Sequence, residues 1–486
     1  MPEGRRRRIR HPPAVLLMPD VQVPRHEPSA CEWLDRLGRR ELSSVELTRS
    51  VLERIEAVAQ LNAVVTCDPD AALEQAGRAD ARRAAGGGGE LLGLPVTVKD
   101  SLEVEGLPSL SGSLARVGHV PRQDATVVRR VREAGAVIVA KTNVPEYTWS
   151  YETDNVVTGR TLHPLDPART PGGSSGGEAA LLGADASIVG IGTDGGGSIR
   201  VPSHYCGTVG LRPTAGLVPE TGCWPPTRDT GMVDMSTIGP MARYVEDLEL
   251  MLPILAGPDG IDPFVGPAPL VAPNVATSAL RVGYYLRDAV ASPGSATCDA
   301  VVAAAAALEA EGCRVEEAVP PDVSSATSIF FGMMAADGGT RAREDLAAAS
   351  GSHTDQLREL LDALEKERLD AAGYFALFRR WAALRAVVRG FLASYDVVLA
   401  PVAIGPAPLH GCTPGTDVPL ESYDVFNLTH TYSVAGLPVA VVPIGAENGL
   451  PIGVQLVANP FHDRVALAVA TILEGVAGDR RDDRHG

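Results

Sequence analysis

Residues 171–200 have the sequence PGGSSGGEAALLGADASIVGIGTDGGGSIR, in which ten of the thirty residues are glycine and four are serine. Glycine inside a helix or strand costs roughly 0.5–1 kcal/mol relative to alanine. Two glycine clusters, each beside serine, indicate that bare backbone, and not side-chain packing, is needed at these two places. The stretch therefore predicts a functional site built on two glycine-rich turns.

The segments around this stretch alternate between helix and strand patterns. Residues 124–134 have the apolar spacing of a helix, and the apolar run AVIVA follows at 136–140. The same order recurs in ALEAEGCRVEEA (307–318) and in FLASYDVVLAP (391–401). This alternation predicts an α/β fold with a largely parallel or mixed sheet.

The chain has no internal repeat and no linker long enough to separate independent domains. We expect residues 1–25 to be a disordered basic tail, within which Met18 is a second candidate start. Residues 26–480 are expected to form one domain. In it, residues 341–392 are helix-rich without a chemical motif, and the Gly-, Pro- and Val-rich stretch 427–458 is expected to return to the sheet.

Composition limits the partners and cofactors. The net charge is −17, with 43 Lys and Arg residues against 60 Asp and Glu residues, so phosphate backbones and anionic membranes would be repelled. The seven cysteines are scattered, without a CxxC pair or a histidine at zinc spacing, and are interpreted as reduced thiols. Without an HExxH motif or a convincing nucleotide loop, the sequence predicts neither a metal nor a cofactor.

Two short motifs inside the glycine-rich stretch are typical of other chemistries. GxSxG at 172–176 matches the nucleophile elbow of α/β-hydrolases, but the preceding HPLDPARTP contains three prolines and cannot be a central strand. GxGxxG at 190–195 matches a dinucleotide fingerprint, but Pro202 interrupts any long helix behind it. Neither motif has the flanking elements that its chemistry requires.

A third interpretation takes both clusters together with an upstream lysine. GLPVTVKD (93–100), GGSSGGEAA (172–180) and GTDGGGSIRVPSHYCGTVGLRPT (192–214) closely resemble the motifs of the amidase signature family. The likeness continues through DATVVRRVREAGAVIVAKTNVPE, GPMARYVEDLELML and FNLTHTYSVAGLPVAVVP. It spans about residues 40–265 and 390–465. Several long motifs in the right order make this resemblance specific.

The resemblance implies a catalytic triad. The family's catalytic lysine matches Lys99, its bridging serine matches Ser174, and its nucleophile matches Ser198, which lies 24 residues further along the chain. A cis peptide bond at the bridging serine is also implied. The implied oxyanion donors are the backbone N–H groups of Gly195, Gly196, Gly197 and Ser198.

These residue types suit amide hydrolysis. A serine hydroxyl is a weak nucleophile, so Ser198 must give up its proton as it attacks. Ser174 can accept and donate a hydrogen bond, which suits a proton relay. Lys99 can receive the proton only when it is neutral, and burial would favour that form. No histidine is required.

Neighbouring polar residues are expected to support the triad. Asp194 and Arg200 flank the nucleophile and can pair to hold its turn. Ser175 is expected to be a hydrogen-bonding neighbour of the bridging serine. Asn143 and Glu146 are expected to brace their loop or to line the pocket.

The resemblance further implies a single large mixed β-sheet core covered by helices. The implied function is hydrolysis of a non-peptide carboxamide by a free-standing amidase. The alternatives are a glutaminase-type subunit of an amidotransferase and a biosynthetic tailoring amidase or acyltransferase that acts on one specific amide. Glu178 resembles the free-standing branch of general and fatty-amide amidases, because amidotransferase subunits typically have GGSSGGSAA at this place.

Substrate choice is expected to depend on the variable, helix-rich residues 320–390 and on the loop 225–235. Most apolar residues of the first region should belong to the core, while a few line an acyl pocket. The candidates are Phe330, Phe331, Met333, Met334, Phe375 and Trp381. The expected partner is a small-molecule amide, the expected location is cytoplasmic, and the sequence leaves a monomer and a homodimer open.

Overall fold

The structure is a computed structural model and describes residues 27–228, 230–268, 270, 279–347, 353–413 and 420–482. The tail expected at residues 1–25 lies outside the described residues. No helix in these ranges is long and apolar enough to cross a membrane.

Eleven strands form one sheet. In chain order they are β1 (Val64–Cys67), β2 (Pro95–Lys99), β3 (Val137–Thr142), β4 (Val189–Asp194), β5 (Val209–Arg212), β6 (Thr237–Ala242), β7 (Arg281–Tyr284), β8 (Arg314–Glu317), β9 (Val397–Pro401), β10 (Val439–Glu447) and β11 (Leu450–Ala458). Across the sheet the order is β1-β3-β2-β4-β6-β5-β10-β11-β9-β7-β8.

Fourteen α-helices are described. They are α1 (Ala30–Gly38), α2 (Ser44–Ala57), α3 (Pro69–Ala84), α4 (Thr126–Glu133), α5 (Gly176–Gly183), α6 (Arg200–Cys206), α7 (Val245–Leu255), α8 (Ser295–Ala310), α9 (Ala326–Ala335), α10 (Thr340–Leu346), α11 (Asp355–Lys366), α12 (Ala371–Leu392), α13 (Asn427–Val434) and α14 (Asp463–Asp482).

Strand directions make the sheet mixed. Strand β2 is parallel to both β3 and β4, and β7 is parallel to both β8 and β9. The remaining neighbours are antiparallel. The α/β fold with a large mixed sheet, expected from the pattern and from the family resemblance, is confirmed.

Two apolar cores lie on opposite faces of the sheet. On β9, Val397 and Leu399 belong to one core, while Val398 and Ala400 belong to the other. Successive strand side chains point to opposite faces, so both faces are buried where the strand is apolar throughout. The first core includes side chains of α2, α3, α4, α7, α8 and α14, and the second includes those of α9 to α13.

The carboxyl ends of three neighbouring parallel strands, the second to fourth in the sheet order, lie side by side. Lys99 ends β2, Thr142 ends β3 and Asp194 ends β4. In α/β sheets, ligands bind at the carboxyl ends of parallel strands. This arrangement places the lysine and the second glycine cluster side by side, although they are far apart in sequence.

The C-terminal region differs from the expectation in one respect. Residues 427–458 were expected to return to the sheet, but they begin with helix α13, all eight residues of which are buried. This helix packs closely against α9. Strands β10 and β11 then follow as expected.

Candidate active site

Lys99 is fully buried at the end of β2. Its Nζ lies 2.7 Å from the Oγ of Ser174, 2.7 Å from the Oγ1 of Thr193 and 3.4 Å from the Thr193 carbonyl oxygen. A neutral amine has two N–H groups and one lone pair. As an ammonium, Lys99 can donate to all three oxygens. As a neutral amine, it can donate to both Thr193 oxygens and accept from the Ser174 hydroxyl. Burial lowers the pKa of Lys99 to about 7, which favours this form near neutral pH.

Ser174 and Ser175 lie on the buried turn before α5. The peptide bond between Gly173 and Ser174 is cis, which confirms the conformation implied by the family resemblance. The backbone N–H of Ser175 donates to the carbonyl oxygen of Ser198 at 3.1 Å. This bond joins the two glycine-rich turns directly.

Ser198 lies on the turn between β4 and α6, and Asp194 holds that turn from inside. The Asp194 carboxylate accepts from the N–H groups of Gly197 at 2.8 Å and Ile199 at 3.1 Å, and it pairs with Arg200 at 2.9 Å. Burial alone would raise the pKa of Asp194, but the Arg200 and Arg212 guanidiniums and the backbone N–H of Ile199 together outweigh burial and keep that pKa well below its usual range. The predicted pairing of Asp194 with Arg200 is confirmed.

In the turn at residues 195–198, only some backbone N–H groups are free to bind a ligand. Gly197 has a φ of +138°, which favours glycine, and its N–H is taken by Asp194. Within the described residues, the N–H groups of Gly195, Gly196 and Ser198 have no hydrogen-bond partner. Of the four donors expected from the sequence, these three remain available to a ligand.

A buried carboxyl lies close to the lysine strand. Glu178, in α5, accepts hydrogen bonds from the hydroxyls of Thr97 in β2 and Thr142 in β3. Gly190 in β4 provides the space, because a Cβ there would overlap the Glu178 carboxyl. Burial raises the pKa of Glu178 to about 7, against the opposing effect of both threonine hydrogen bonds. Glu178 therefore ties α5 to the strand that ends in Lys99.

Asn143 and Glu146 brace the loops around the site. The Asn143 amide donates to the carbonyl oxygen of Gly159 at 3.0 Å. The Glu146 carboxylate lies 2.8 Å from His353 Nδ1 and accepts from the Thr354 N–H at 2.7 Å. Neither side chain belongs to the described lining of the cleft, so bracing is the role that the contacts support.

A cleft opens above both serines, with about 740 Å³ of empty space when the solvent at its mouth is counted. Its lining includes Ser174, Ser198, Gly195 and Gly196. None of the described residues that line it is charged. Its walls are largely aromatic and apolar, with Trp149, Tyr151, Phe330, Phe331, Met334 and Tyr423 among them.

The variable region contributes to the cleft as the sequence predicted, but not with every candidate. Phe330, Phe331 and Met334 line the cleft. Met333 and Trp381 are buried in the second core. The side chain of Phe375 is 59% exposed on α12 and takes no part in the cleft.

Comparison with known proteins identifies the family. The profile of the family named Amidase matches residues 46–467. The chain is 34% identical over 466 residues to an indoleacetamide hydrolase from Bradyrhizobium diazoefficiens, with 93% of this chain and 86% of that protein covered. This chain belongs to the amidase signature family.

Other members of the amidase signature family differ in role but share the fold. A glutamyl-tRNA(Gln) amidotransferase subunit from Roseiflexus sp. (strain RS-1) is 33% identical over 477 residues, covering 93% of this chain and 96% of that protein. A bacterial aryl acylamidase superimposes with a TM-score of 0.83 at 26% identity, covering 95% and 98% of the two chains. The predicted family is confirmed, and the protein is an amidohydrolase.

Several residues of this amidase site were not predicted from the sequence. Thr193 contacts Lys99. Its position inside the GTDGGGS motif could have indicated that it belongs to the site. Lys141 is a second buried lysine, but its Nζ pairs with Asp100 at 2.9 Å. Tyr151 and His430 contact each other across 279 positions, and no local pattern points to such a pair.

Proposed function

We propose that this amidase hydrolyses uncharged carboxamides with an apolar acyl group, through an acyl-enzyme on Ser198 with Ser174 and Lys99 as the proton relay. One observation carries the proposal: the Nζ of a fully buried lysine lies 2.7 Å from Ser174 Oγ at the floor of the cleft. A lysine in this position is poised to be neutral and to accept a proton.

In the first step, the Ser198 oxygen attacks the amide carbon. Its proton passes to the Ser174 oxygen, while the Ser174 proton passes to Lys99 Nζ. The amide carbonyl oxygen becomes an oxyanion, and the N–H groups of Gly195, Gly196 and Ser198 are the donors that can stabilise it. Because these donors are backbone groups on a turn fixed by Asp194, they need little reorganisation during the reaction.

In the second step, the tetrahedral intermediate collapses. The C–N bond breaks, and the proton held on Lys99 returns through Ser174 to the leaving nitrogen, which departs as ammonia or an amine. Water then attacks the ester on Ser198, and its proton passes through Ser174 to Lys99. The bond between the acyl carbon and the Ser198 oxygen breaks, the proton returns through Ser174 to that oxygen, and the carboxylic acid leaves. The relay therefore returns to its starting state after each turnover.

The cleft supports the proposed substrate class. A charged group moved from water into a poorly hydrated site needs a partner, and the described lining supplies no charged side chain. The aromatic side chains of Phe330, Phe331 and Tyr423 instead offer contact surface to an aryl or alkyl group. The preferred acyl group is therefore uncharged and apolar.

The glutaminase-type alternative fits this cleft less well. Glutamine carries an ammonium and a carboxylate beside its amide, and both would enter the site without a described counter-charge. Amidotransferase subunits are among the relatives of this chain, so glutamine is the necessary comparison substrate.

The test combines a substrate panel with active-site labelling. The purified protein is assayed on phenylacetamide, hexanamide and glutamine, and it is treated with a fluorophosphonate probe. We expect turnover of the two neutral amides and labelling of the wild type. Ser198→Ala should lose both. Ser203→Ala, which removes a buried serine hydroxyl outside the described lining, should keep both.

Two results would contradict the proposal. Turnover of glutamine at or above the rate of the neutral amides would overturn the substrate class. Labelling of Ser198→Ala at Ser174 would overturn the assignment of the nucleophile.

A further inference from the structure

A chain of buried polar groups leads from helix α9 to the nucleophile turn. The Tyr151 hydroxyl oxygen lies 2.9 Å from the Gly196 carbonyl oxygen and 2.8 Å from Nε2 of His430. Across the imidazole ring, Nδ1 of His430 lies 3.1 Å from the Thr327 hydroxyl oxygen. The three side chains are buried.

The hydrogen bonds of this chain run in one direction. A carbonyl oxygen can only accept, so the Tyr151 proton points to Gly196 and the Tyr151 oxygen accepts from the Nε2–H of His430. Nδ1 is then an acceptor and takes the proton of the Thr327 hydroxyl. The other acceptor near that hydroxyl, Asn427 Oδ1 at 3.1 Å, already accepts the backbone N–H of Thr327. Burial lowers the pKa of His430 to about 3, so the ring stays neutral at working pH.

Aromatic packing fixes both rings. The Tyr151 ring stacks on Phe426 with centroids 3.7 Å apart, and the His430 ring stacks on Phe330 at 4.3 Å. Gly196 leaves room for both polar atoms. A Cβ at this position would lie 2.6 Å from the Tyr151 hydroxyl oxygen and 3.0 Å from His430 Nε2.

The peptide between Gly196 and Gly197 is thereby held at both ends. Tyr151 donates to its carbonyl oxygen, and Asp194 accepts from its N–H at 2.8 Å. A peptide plane held at both ends cannot rotate freely. This restrains the two adjacent peptides, which carry the N–H groups of Gly196 and Ser198.

We propose that Tyr151 and His430 are positioning residues that lock the nucleophile turn and aim its free N–H groups at the oxyanion. The proposal rests on the proposed role of Ser198 and its turn. His430 acts through Tyr151 and transfers no proton. The pair therefore affects the rate of the chemical step, while substrate binding and the pH dependence stay unchanged.

The test removes each hydrogen bond and keeps the packing. Tyr151→Phe retains the ring on Phe426, and His430→Phe retains an aromatic ring beside Phe330. Both should lower kcat on phenylacetamide by about 10- to 100-fold, somewhat less than the loss of an oxyanion donor itself, with KM changed by less than about twofold. His430→Gln keeps an N–H donor and should recover most of the lost kcat.

A second readout concerns the tetrahedral state directly. A phenylboronic acid forms a tetrahedral adduct with the nucleophile that presents an oxygen to the turn. Its affinity should fall in Tyr151→Phe by the same factor as kcat/KM, as expected for a transition-state contact. The acid limb of the pH profile should stay in place in all three variants.

Tyr285→Phe is the matched control. It removes a buried hydroxyl that lies 2.6 Å from the Tyr432 hydroxyl, away from the described lining of the cleft. Its kcat should stay within about twofold of the wild type, and its thermal unfolding should report the cost of losing one buried hydroxyl contact.

Three outcomes would overturn the proposal. The first is a kcat for Tyr151→Phe equal to that of Tyr285→Phe, and the second is a change in Tyr151→Phe that is confined to KM. The third is a shift of the acid limb of the pH profile in His430→Phe. The third outcome would make His430 a proton-transfer group. If Ser198→Ala kept full activity, the proposed function itself would fail. A silent Tyr151→Phe beside an inactive Ser198→Ala would remove only the positioning role.

Discussion

At Lys99, the proposed chemistry depends on one proton. The side chain can act as the base only while it is neutral, and burial lowers its pKa to about 7. The neutral fraction rises with pH, so kcat/KM should fall about tenfold for each pH unit below about 7 and level off above about pH 8. Lys99→Met should lose roughly 10²–10⁴-fold in kcat at the plateau. Steady-state kinetics across the pH range test both statements, and a flat profile through neutral pH would contradict them.

Glu178 should contribute to the position of that acid limb, after the larger effects of burial and of Asp194. A negative charge near Lys99 stabilises the ammonium and raises the pKa of Lys99, against the larger lowering effect of burial. Glu178→Gln keeps the shape and removes the charge, so the acid limb of kcat/KM should move to lower pH. Glu311→Gln, an exposed change at the end of α8, is the control and should leave the limb in place. Movement of the Glu178→Gln limb to higher pH would reverse the sign of the argument.

At the scale of single elements, the features that local sequence motifs encode could be predicted, and those that arise from contacts between distant segments could not. Each of the residues Lys99, Ser174 and Ser198 lies within a short continuous motif, so each could be predicted from local sequence. The alternation of helix and strand patterns likewise predicted the α/β sheet. Helix α13 was not anticipated, because it is buried on all sides and has no amphipathic period to detect. The Tyr151–His430 pair arises from the packing of α13 beside the cleft, so it could not be predicted before that helix was placed.

Helix α5 offers a test of why its first turn needs glycine. A Cβ at Gly177 would lie 2.7 Å from the Ala63 carbonyl oxygen and would overlap the backbone of Asn143. Backbone atoms cannot swing aside, so Gly177→Ala should lower the free energy of unfolding by about 1–3 kcal/mol or more. Gly475→Ala in α14 meets no atom within 4 Å and should raise it by about 0.5–1 kcal/mol. Urea unfolding midpoints compare the two, and equal effects would show that space at Gly177 is not limiting.

Across the whole molecule, the charge distribution and the cleft favour the same substrates. The net charge of −17 repels anions at long range, and the described cleft lining has no cation to hold one at short range. The two apolar cores cover the sheet on both sides, so the proposed base Lys99 stands on a rigid strand end. The two proposed catalytic serines lie on buried turns beside that strand. Both features support the proposal that the substrate is a neutral amide.

At the scale of the whole molecule, we also predict that removal of metal ions by a chelator leaves the rate of hydrolysis unchanged. A zinc site needs three or four N, O or S ligands, but the described lining of the cleft contains Cys223 and no His, Asp or Glu. Elsewhere in the described chain, Cys31, Glu246 and Asp247 come close enough to share an ion. There, however, Asp247 accepts the backbone N–H of Cys31 at 3.2 Å and so holds the start of α1. In the proposed mechanism, Lys99 and Ser174 supply the base and backbone N–H groups supply the oxyanion donors. Protein dialysed against EDTA should therefore keep kcat/KM within about twofold, while a fluorophosphonate abolishes activity. Activity lost to EDTA and restored by zinc would move the chemistry to metal ligands and remove the roles assigned to Lys99 and Ser198.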